Sequence, residues 1–402
     1  MPFGVQVFFY RLLMKAMKLL LKVVPQPKPT LYCGEDSSLQ LAGNMIQFGY
    51  QRVLIVTDKM LHEMGLLDPV KEKLTAAGVD VSVYDGVEPN PTFDQVYAGL
   101  KMARDNSCDA ILCFGGGSSI DAAKVIAVAI SGEKTPEELT GFFKVKGQVL
   151  PLFAIPTTAG TGSEVSVGAV ISDPVTHQKA IVADPKTIPV AAALDPKIML
   201  GLPAPITAAT GMDALTHAIE AYISVIPTEE TDKYAMASVK LIFANLLEAY
   251  NNGSNIEARE GMAIASTYAA FAFNKAMLGY VHGIAHQFSG HYNTPHGLAN
   301  AIVLPHILDY SKSACANRLA ELAVAVKLGD ASESDAVLAQ KFIDAVRGIS
   351  RDMNIPATLD ALQSADIPAI AEAALKESHI TYAVPRYMNQ AQCESLVRKM
   401  LA

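Results

Sequence analysis

The chain has 402 residues, half of them hydrophobic, and a formal net charge of −8. This length and apolar content suffice for two or three globular domains with buried cores. The negative charge excludes a protein that holds nucleic acid mainly by neutralising phosphates, so we expect no nucleic-acid partner. The five cysteines are odd in number and lack CxxC spacing, which indicates free thiols in a reducing compartment and predicts a cytoplasmic protein.

The N-terminal segment differs in charge from the rest of the chain. Residues 1–30 carry five basic and no acidic residues, so they hold +5 and the remainder −13. The first four basic residues recur at spacings of four, three and four, which predicts a basic amphipathic helix. They are Arg11, Lys15, Lys18 and Lys22. A charge on every turn excludes a membrane span. Two interpretations stay open: a helix laid on the protein or on a second subunit, and weak contact of residues 1–24 with a membrane surface.

Apolar runs and helical patterns alternate from the prolines at 25, 27 and 29 up to about residue 200. Strands are predicted at 52–57, 79–84, 109–114 and 150–155, and helices at 61–77, 92–106 and 118–130. Two shorter strands, at 167–171 and 180–182, are predicted to form a hairpin around Asp173-Pro174. The alternation predicts right-handed βαβ units and a Rossmann-like, doubly wound parallel sheet.

After about Pro203 the pattern contains helices only. They are predicted at 207–224, 231–250, 256–275, 280–289, 318–327, 334–353, 367–375 and 390–401. The sequence therefore predicts an α/β protein with an all-helical C-terminal part. We divide it into a basic extension (1–26), a nucleotide-binding α/β domain (27–203) and an all-helical metal-binding domain (204–402).

A glycine-rich turn, Gly115-Gly116-Gly117-Ser118, joins a predicted strand to a predicted helix. Glycines let the backbone approach a pyrophosphate, and the helix N-terminus offers free N–H groups, although the turn is not the GxGxxG fingerprint. The segment 156–164, rich in hydroxyl groups, follows another strand at the same predicted edge. Asp58 ends the first strand, where it serves either as an acceptor for ribose hydroxyls, favouring NAD over NADP, or as the N-cap of the next helix.

Histidines cluster in the C-terminal half: five of the nine fall between His282 and His306. Asp213 and His217 are four apart on one predicted helix, and His282 and His286 repeat that spacing on another, so each pair shares a helix face. With His296 the candidate set is one carboxylate and three or four imidazoles. Such a set fits Fe²⁺, Zn²⁺, Co²⁺ or Ni²⁺ better than Mg²⁺ or Ca²⁺.

Four motifs together resemble those of one family. They are GGGSSIDAAK (115–124), PTTAGTGSE (156–164), GMDALTHAIE (211–220) and VHGIAHQFSGHYNTPHG (281–297). Over about residues 27–402 the chain resembles the iron-dependent (group III) alcohol dehydrogenases, a family that includes lactaldehyde:propanediol oxidoreductases and butanol dehydrogenases. Their fold, shared with dehydroquinate synthase, is the one predicted above. The first 26 residues lie outside the resemblance.

The resemblance also implies roles for single residues. It implies metal ligands at Asp213, His217, His282 and His296, and places His286 near the substrate without contact to the metal. Because the pKa of imidazole suits proton transfer, we expect His286 to carry the proton to solvent. It implies cofactor contacts at Asp58, Asn90, Gly115, Gly116, Gly117, Ser118, Thr157, Thr158, Thr161 and Lys179. His291 and His306 match no ligand position, so we expect them to be structural.

The implied reaction is reversible hydride transfer between a primary or small secondary alcohol and NAD, with the metal, foremost Fe²⁺, activating the alcohol oxygen. A homodimer is also implied. Two alternatives remain: a zinc polyol dehydrogenase of the glycerol dehydrogenase type, and a catalytically silent nucleotide- and metal-binding structural protein. The PHG turn and GMDALTH favour the iron type, and the complete ligand set with His286 favours an active enzyme.

Overall fold

The computed structural model describes residues 2–24, 26–173 and 179–402, and of Lys22 and Val23 it describes the backbone only. Two compact units are present. The sheet unit comprises Gln26–Leu202 and Ser254–Thr267, and the helical unit comprises Pro203–Gly253 and Tyr268–Ala402 together with the N-terminal helix. The three-part division at residues 26 and 203 stays a prediction.

The sheet unit holds nine strands and five complete helices among its described residues. The strands are β1 (Thr30–Cys33), β2 (Arg52–Val56), β3 (Asp80–Tyr84), β4 (Ala110–Gly115), β5 (Gly141–Phe142), β6 (Leu152–Pro156), β7 (Gly168–Ser172), β8 (Lys179–Ala183) and β9 (Ala191–Leu194). The helices are α2 (Ser37–Gln47), α3 (Lys59–Glu63), α4 (Asp68–Ala76), α5 (Phe93–Asp105) and α6 (Gly117–Ala129).

Six strands form one parallel sheet in the order β1-β9-β6-β4-β2-β3. The apolar side chains of α2 and α4 pack on one face of this sheet, and those of α5 and α6 pack on the other. The predicted doubly wound sheet is thereby confirmed. From β2 the chain moves outward to β3, and from β4 it moves the opposite way to β6, so the order reverses between β2 and β4. Ligands of such folds bind at this kind of reversal, beside the carboxyl ends of the strands.

The helical unit is built from α1 (Phe3–Val23), α7 (Ala204–Ile223), α8 (Glu229–Asn251), α10 (Tyr280–Tyr292), α11 (His296–Ala325), α12 (Asp335–Asp352), α13 (Ile367–Thr381) and α14 (Gln390–Val397). A further helix, α9 (Ile256–Ala276), gives its last turns to this unit. The all-helical C-terminal part is confirmed. Among the described residues, no helix combines the length and the hydropathy that crossing a bilayer requires.

Several predicted boundaries were wrong. The single helix predicted at 61–77 is two helices, α3 and α4, because Gly65 between them adopts φ +69°. The helix predicted at 318–327 is the part of α11 that follows a kink at Cys315, while the part before the kink, which begins at His296 and contains Pro305, was not predicted. The predicted hairpin is the antiparallel pair β7–β8, although Pro174 of its predicted turn lies outside the described residues. Four short elements, β1, α2, β5 and β9, were not predicted.

Candidate metal centre and nucleotide turn

Four side chains of the helical unit converge in its interior. Asp213 and His217 stand one turn apart on α7, His282 lies in the first turn of α10, and His296 is the first residue of α11. One donor atom from each of the four lies within 4.8 Å of every other. The Nε2 atoms of His217 and His282 are each 3.7 Å from Asp213 Oδ1, and that of His296 is 3.5 Å away. The structure therefore brings together all four predicted ligands.

The spacing of these atoms suits a metal ion. A tetrahedral ion with bonds of about 2.1 Å separates its ligand atoms by about 3.4 Å, close to the distances found here. One carboxylate oxygen and three imidazole nitrogens also match the donor preference of Fe²⁺, Zn²⁺, Co²⁺ and Ni²⁺. The residues present thus fit a divalent cation.

The electrostatics of the cluster favour a positive charge. Burial would lower the pKa of His282, but the neighbouring carboxylates of Asp213 and Glu220 raise that pKa to about 9. Burial would raise the pKa of Asp213, but the surrounding histidines hold it well below its ordinary value. These pKa shifts show that the cluster favours an added positive charge, which a divalent cation can supply.

Glu220, which lies seven residues after Asp213 on α7, holds one ligand in place. Its Oε2 atom accepts from His282 Nδ1 at 2.7 Å and from the backbone N–H of Gly279 at 2.8 Å. Its Oε1 atom accepts from the N–H of Val281 at 2.7 Å. The carboxylate therefore fixes the start of α10 and leaves the Nε2 lone pair of His282 directed at the cluster. The sequence analysis gave Glu220 no role, although its spacing from Asp213 puts it on the same helix face.

Asn300, one turn after His296 on α11, reaches the middle of the cluster. Its Nδ2 atom lies 2.7 Å from Asp213 Oδ1 and 3.2 Å from the Nε2 atoms of both His282 and His296. Its Oδ1 atom is buried and has no hydrogen-bond partner among the described residues. An amide N–H, the positive end of a dipole, thus points at the atoms predicted to hold the ion.

His286 lies beside the cluster but has a different partner. Its ring stacks on that of His296 at 5.2 Å between centroids, and its Nδ1 atom is 2.7 Å from Glu377 Oε1. Glu377 also accepts from the hydroxyl of Tyr382 at 2.5 Å. Burial would raise the pKa of Glu377, but the neighbouring imidazole of His286 lowers it below its ordinary value. Glu377 lies 91 residues from His286, and no sequence pattern pointed to it.

The remaining histidines of the stretch lie apart from these groups. His291 is exposed at the end of α10 and its ring contacts that of Tyr292. His306 is partly buried, and burial lowers its pKa. Neither is part of the cluster of potential ligands found among the described residues.

The predicted nucleotide residues of the sheet unit gather at the carboxyl ends of β2, β3, β4 and β6. Gly115 ends β4, Gly116 is the N-cap of α6, and the backbone N–H of Thr157, just after β6, donates to Gly115 O at 3.1 Å. Asp58 and Asn90 follow β2 and β3, while Lys179 begins β8. The hydroxyl-bearing side chains of Thr158 and Thr161 stand beside Gly116 and Gly117.

Asp58 acts as the N-cap of α3, since its carboxylate accepts from the N–H of Leu61 at 2.9 Å. This contact is the capping role that the sequence left open. The hydrogen bond from Leu61 involves only the Oδ1 atom of Asp58. It therefore does not exclude that the carboxylate also accepts from a ribose hydroxyl.

The glycines of the turn differ in how much space surrounds them. A Cβ atom on Gly115 would stand 2.5 Å from Ser119 Oγ, and one on Gly117 would stand 2.6 Å from Thr161 Cγ2. At Gly116 the nearest neighbour would be Thr158 Oγ1 at 3.4 Å. Gly115 and Gly117 are therefore required by the packing of the protein itself, while Gly116 keeps free space on its surface.

Two charged residues of α6, the buried Lys124 and the partly buried Asp121, hold the loop that follows β6. Lys124 donates from Nζ to the carbonyl oxygens of Ser166 and Gly168 at 2.8 and 2.7 Å. Asp121 accepts from Ser163 Oγ at 2.5 Å and from the N–H of Val170 at 2.8 Å. Burial lowers the pKa of Lys124 to about 8, against the raising effect of Asp121. The loop is thus tied to the same helix whose N-terminus forms the glycine turn.

A doubly wound sheet with a glycine turn, joined in one chain to a helical unit with an imidazole–carboxylate cluster, is typical of metal-dependent oxidoreductases. Comparison with known proteins identifies the family. The family model described as iron-containing alcohol dehydrogenase matches residues 28–196, and the model for the C-terminal part of the Fe-containing alcohol dehydrogenase family matches residues 207–401. The chain belongs to the iron-containing alcohol dehydrogenase family, and it is an alcohol dehydrogenase of the iron type.

Individual relatives agree with this assignment. The 1,3-propanediol dehydrogenase of Klebsiella pneumoniae is 40% identical over 368 residues, which cover 90% of this chain and 95% of that protein. The NAD-dependent methanol dehydrogenase of Bacillus methanolicus is 36% identical over 375 residues, 93% of this chain and 98% of that protein. A crystal structure of 1,3-propanediol oxidoreductase has a TM-score of 0.91 at 38% identity and covers 94% of this chain and 99% of its own.

Proposed function

We propose that the protein is a reversible dehydrogenase for small primary or secondary alcohols that uses NAD and one Fe²⁺ ion held by Asp213, His217, His282 and His296. The convergence of the four donor atoms within 4.8 Å is the observation that carries the metal assignment. The NAD assignment is supported by the relative named NAD-dependent methanol dehydrogenase and by the glycine turn at the reversal of the sheet. Zn²⁺, Co²⁺ and Ni²⁺ fit the same donor set.

A bound divalent cation at this cluster supplies an electrophile that lowers the pKa of an alcohol hydroxyl and polarises an aldehyde carbonyl. The role of the chain is to hold the donors and to keep their lone pairs directed inward. Glu220 does this for His282 by accepting from Nδ1. Because the carboxylate also anchors the N–H groups of Gly279 and Val281, the position of the ring is tied to the start of α10.

We assign the proton transfer to His286. With Nδ1 donating to Glu377, the lone pair of Nε2 is available to accept a proton from the substrate hydroxyl. Glu377 stabilises the imidazolium that forms, and Tyr382 holds the carboxylate through its hydroxyl. In the reverse direction the imidazolium returns the proton to the oxygen of the alcohol product.

Cofactor binding is assigned to the carboxyl edge of the sheet. The N–H groups of Gly116, Gly117 and Ser118, in the first turn of α6, would bind the pyrophosphate with the help of the helix dipole. Four further residues would supply hydroxyl and amide groups around the cofactor, namely Asn90, Thr157, Thr158 and Thr161. Lys179 would contribute a positive charge, and Asp58 would accept from the ribose and repel a 2′-phosphate.

An alcohol panel measured without oxygen tests this proposal. Protein purified anaerobically is assayed for NADH formation with ethanol, 1-butanol, 1,2-propanediol, 1,3-propanediol and glycerol, and its metal content is measured by elemental analysis. We expect about one iron per chain and turnover of at least one of the four non-glycerol alcohols. Zinc content with turnover of glycerol alone would instead favour the polyol dehydrogenase, and absence of turnover with full metal content would favour the silent protein.

We further propose a homodimer with small alcohols and aldehydes as its only small-molecule partners besides the cofactor, and weak contact of the N-terminal helix with a membrane surface. The dimer is an expectation from the resemblance to the family alone. Analytical ultracentrifugation at several protein concentrations tests it: a mass of one chain throughout would contradict the dimer.

A further inference from the structure

The N-terminal helix α1 is fixed to the helical unit along one face. Met14 is buried against Ile226 and Ala383, and the partly buried Met17 and Leu21 pack on the same cluster. These positions recur every three or four residues, so they form a single stripe along the helix. Tyr10, in the same stripe, stacks on Tyr387 at 5.5 Å between ring centroids. The docked stripe holds α1 on the protein and determines which of its faces meets solvent.

The face opposite the docked stripe is apolar and exposed. Of the 18 large hydrophobic side chains that are exposed among the described residues, seven lie on α1. Six of them, each between 40% and 66% exposed, are Phe8, Phe9, Leu12, Leu13, Leu19 and Leu20. Scattered apolar residues are normal on a protein surface, but seven on one helix of 21 residues form a patch, which marks an interaction site.

A basic stripe lies between the docked stripe and the exposed apolar face. At 100° per residue, Lys18, Arg11 and Lys15 occupy the sector between Met14 and Phe8. Arg11 and Lys15 are exposed. No acidic residue occurs before Glu35, while the chain as a whole carries −8, so this helix has a net positive charge and the remainder of the chain a net negative one. The helix therefore presents cations beside Phe and Leu side chains, the pattern of helices that lie in a membrane interface.

We propose that α1 docks the protein on an anionic lipid bilayer, with the helix parallel to the surface. The apolar face enters the boundary between headgroups and acyl chains, and Arg11 and Lys15 contact lipid phosphates. A helix that lies in the interface in this way gives a peripheral contact. The family matches begin at residue 28, so this surface is an addition to the family fold.

Charge favours lipid over a second copy of the chain as the occupant. In an antiparallel pair of α1 helices joined through their apolar faces, the two-fold axis places both basic stripes on the same side of the pair. Like charges would then be gathered along the contact, which opposes association. Anionic headgroups instead complement the same stripe, at a gain of about fivefold in binding for each cation near the surface.

Vesicle binding of the full-length protein tests the proposal. The wild type is sedimented with vesicles of phosphatidylcholine mixed with phosphatidylglycerol, and with vesicles of phosphatidylcholine alone. We expect binding to the mixed vesicles at low salt that weakens as salt is raised. The double variants R11E/K15E and F8S/L12S should each bind at least about tenfold more weakly. The matched control F48S/K240E replaces an exposed Phe and an exposed Lys elsewhere and should bind like the wild type.

Fluorescence supplies a second readout, because the chain contains no tryptophan. Leu12→Trp should give an emission spectrum that shifts to shorter wavelength when mixed vesicles are added, while Phe48→Trp should give no shift. Alcohol oxidation should be unchanged in every variant, which shows that each one folds. Absence of vesicle binding, or equal binding by the α1 variants and the control, would overturn the proposal. So would a lower sedimentation coefficient of F8S/L12S without lipid, which would assign the apolar face to a second copy.

Discussion

The metal cluster and the glycine turn are built in opposite ways. The cluster uses ionisable side chains from α7, α10 and α11, all buried or half-buried, and one of them, His282, is held by the carboxylate of Glu220. The turn uses backbone groups at the end of a strand and the start of a helix, with small residues that keep side chains away. The metal cluster depends on the balance of charge among its side chains, and the glycine turn depends on the space that its small residues leave. Replacements at the two places should therefore fail for different reasons.

The largest effect is expected from removing one ligand of the cluster. His282→Ala should abolish metal binding and lower turnover at least about a thousandfold, because three remaining donors hold the ion weakly and Glu220 loses its partner. NADH binding, measured by fluorescence titration, should be unchanged, since it depends on the sheet unit. Retained metal with full activity would contradict the ligand assignment, and lost NADH binding would show that the two regions are not independent.

Next in size is the partner of the proton carrier. Glu377→Gln keeps an acceptor for His286 Nδ1 but removes the negative charge, so kcat should fall by roughly 10–100-fold. Elemental analysis should find the metal still present, and the pH profile of kcat should move. Tyr382→Phe, which removes only a donor to Glu377, is the milder control and should have a smaller effect. Loss of metal from Glu377→Gln would place His286 and Glu377 with the ligands.

A smaller change should come from the carboxylate behind His282. Glu220→Gln keeps a group of the same shape yet weakens the hold on Nδ1 and introduces an N–H where acceptors are needed. The affinity for Fe²⁺ should fall by roughly 10–100-fold, measured by competition with a chelator, while turnover at saturating Fe²⁺ falls less. An unchanged affinity would mean that packing alone orients the ring.

In the glycine turn, substitutions at two neighbouring glycines distinguish crowding of the cofactor from crowding within the protein itself. Gly116→Ala meets nothing closer than 3.4 Å, so the thermal midpoint should be unchanged while the Kd for NADH rises about tenfold. Gly117→Ala places its methyl group 2.6 Å from Thr161, so this variant should also melt at a lower temperature. Unchanged NADH affinity in Gly116→Ala would remove the turn from the cofactor site.

The smallest effect concerns cofactor choice. Asp58→Asn keeps a side-chain oxygen to cap α3 but removes the negative charge, so the preference for NAD over NADP should fall severalfold with little loss of stability. Asp58→Gly also loses the cap contact and should lower the free energy of unfolding by a few tenths of a kcal/mol. An unchanged NAD/NADP ratio in both variants would leave Asp58 as a helix cap only.

The sequence predicted the features that depend on local interactions better than those that depend on contacts between distant residues. Strands such as β2 and β4 were predicted because continuous apolar runs mark parallel strands buried on both faces. The four-residue spacing on α7 and α10 showed which side chains share a face. Which imidazoles belong to the cluster was not fixed by spacing, and came from the family resemblance.

Distant pairings could not be predicted. Glu377 meets His286 from 91 positions further along the chain, and Asn300 enters the cluster only because α11 begins at His296. The first half of α11 was missed, and Pro305 inside it normally signals the end of a helix. The docked stripe of α1 likewise depends on Ile226 and Ala383, which no local pattern connects to it.

Titration of the metal-free protein with Fe²⁺ in the absence of oxygen tests the central claim most directly. NADH formation from an alcohol that the panel identifies as a substrate is followed together with the amount of metal bound. The account predicts no turnover without metal, and turnover that rises in proportion to bound Fe²⁺ until each chain holds one ion. Full turnover by the metal-free protein, or saturation of binding without any turnover, would contradict it.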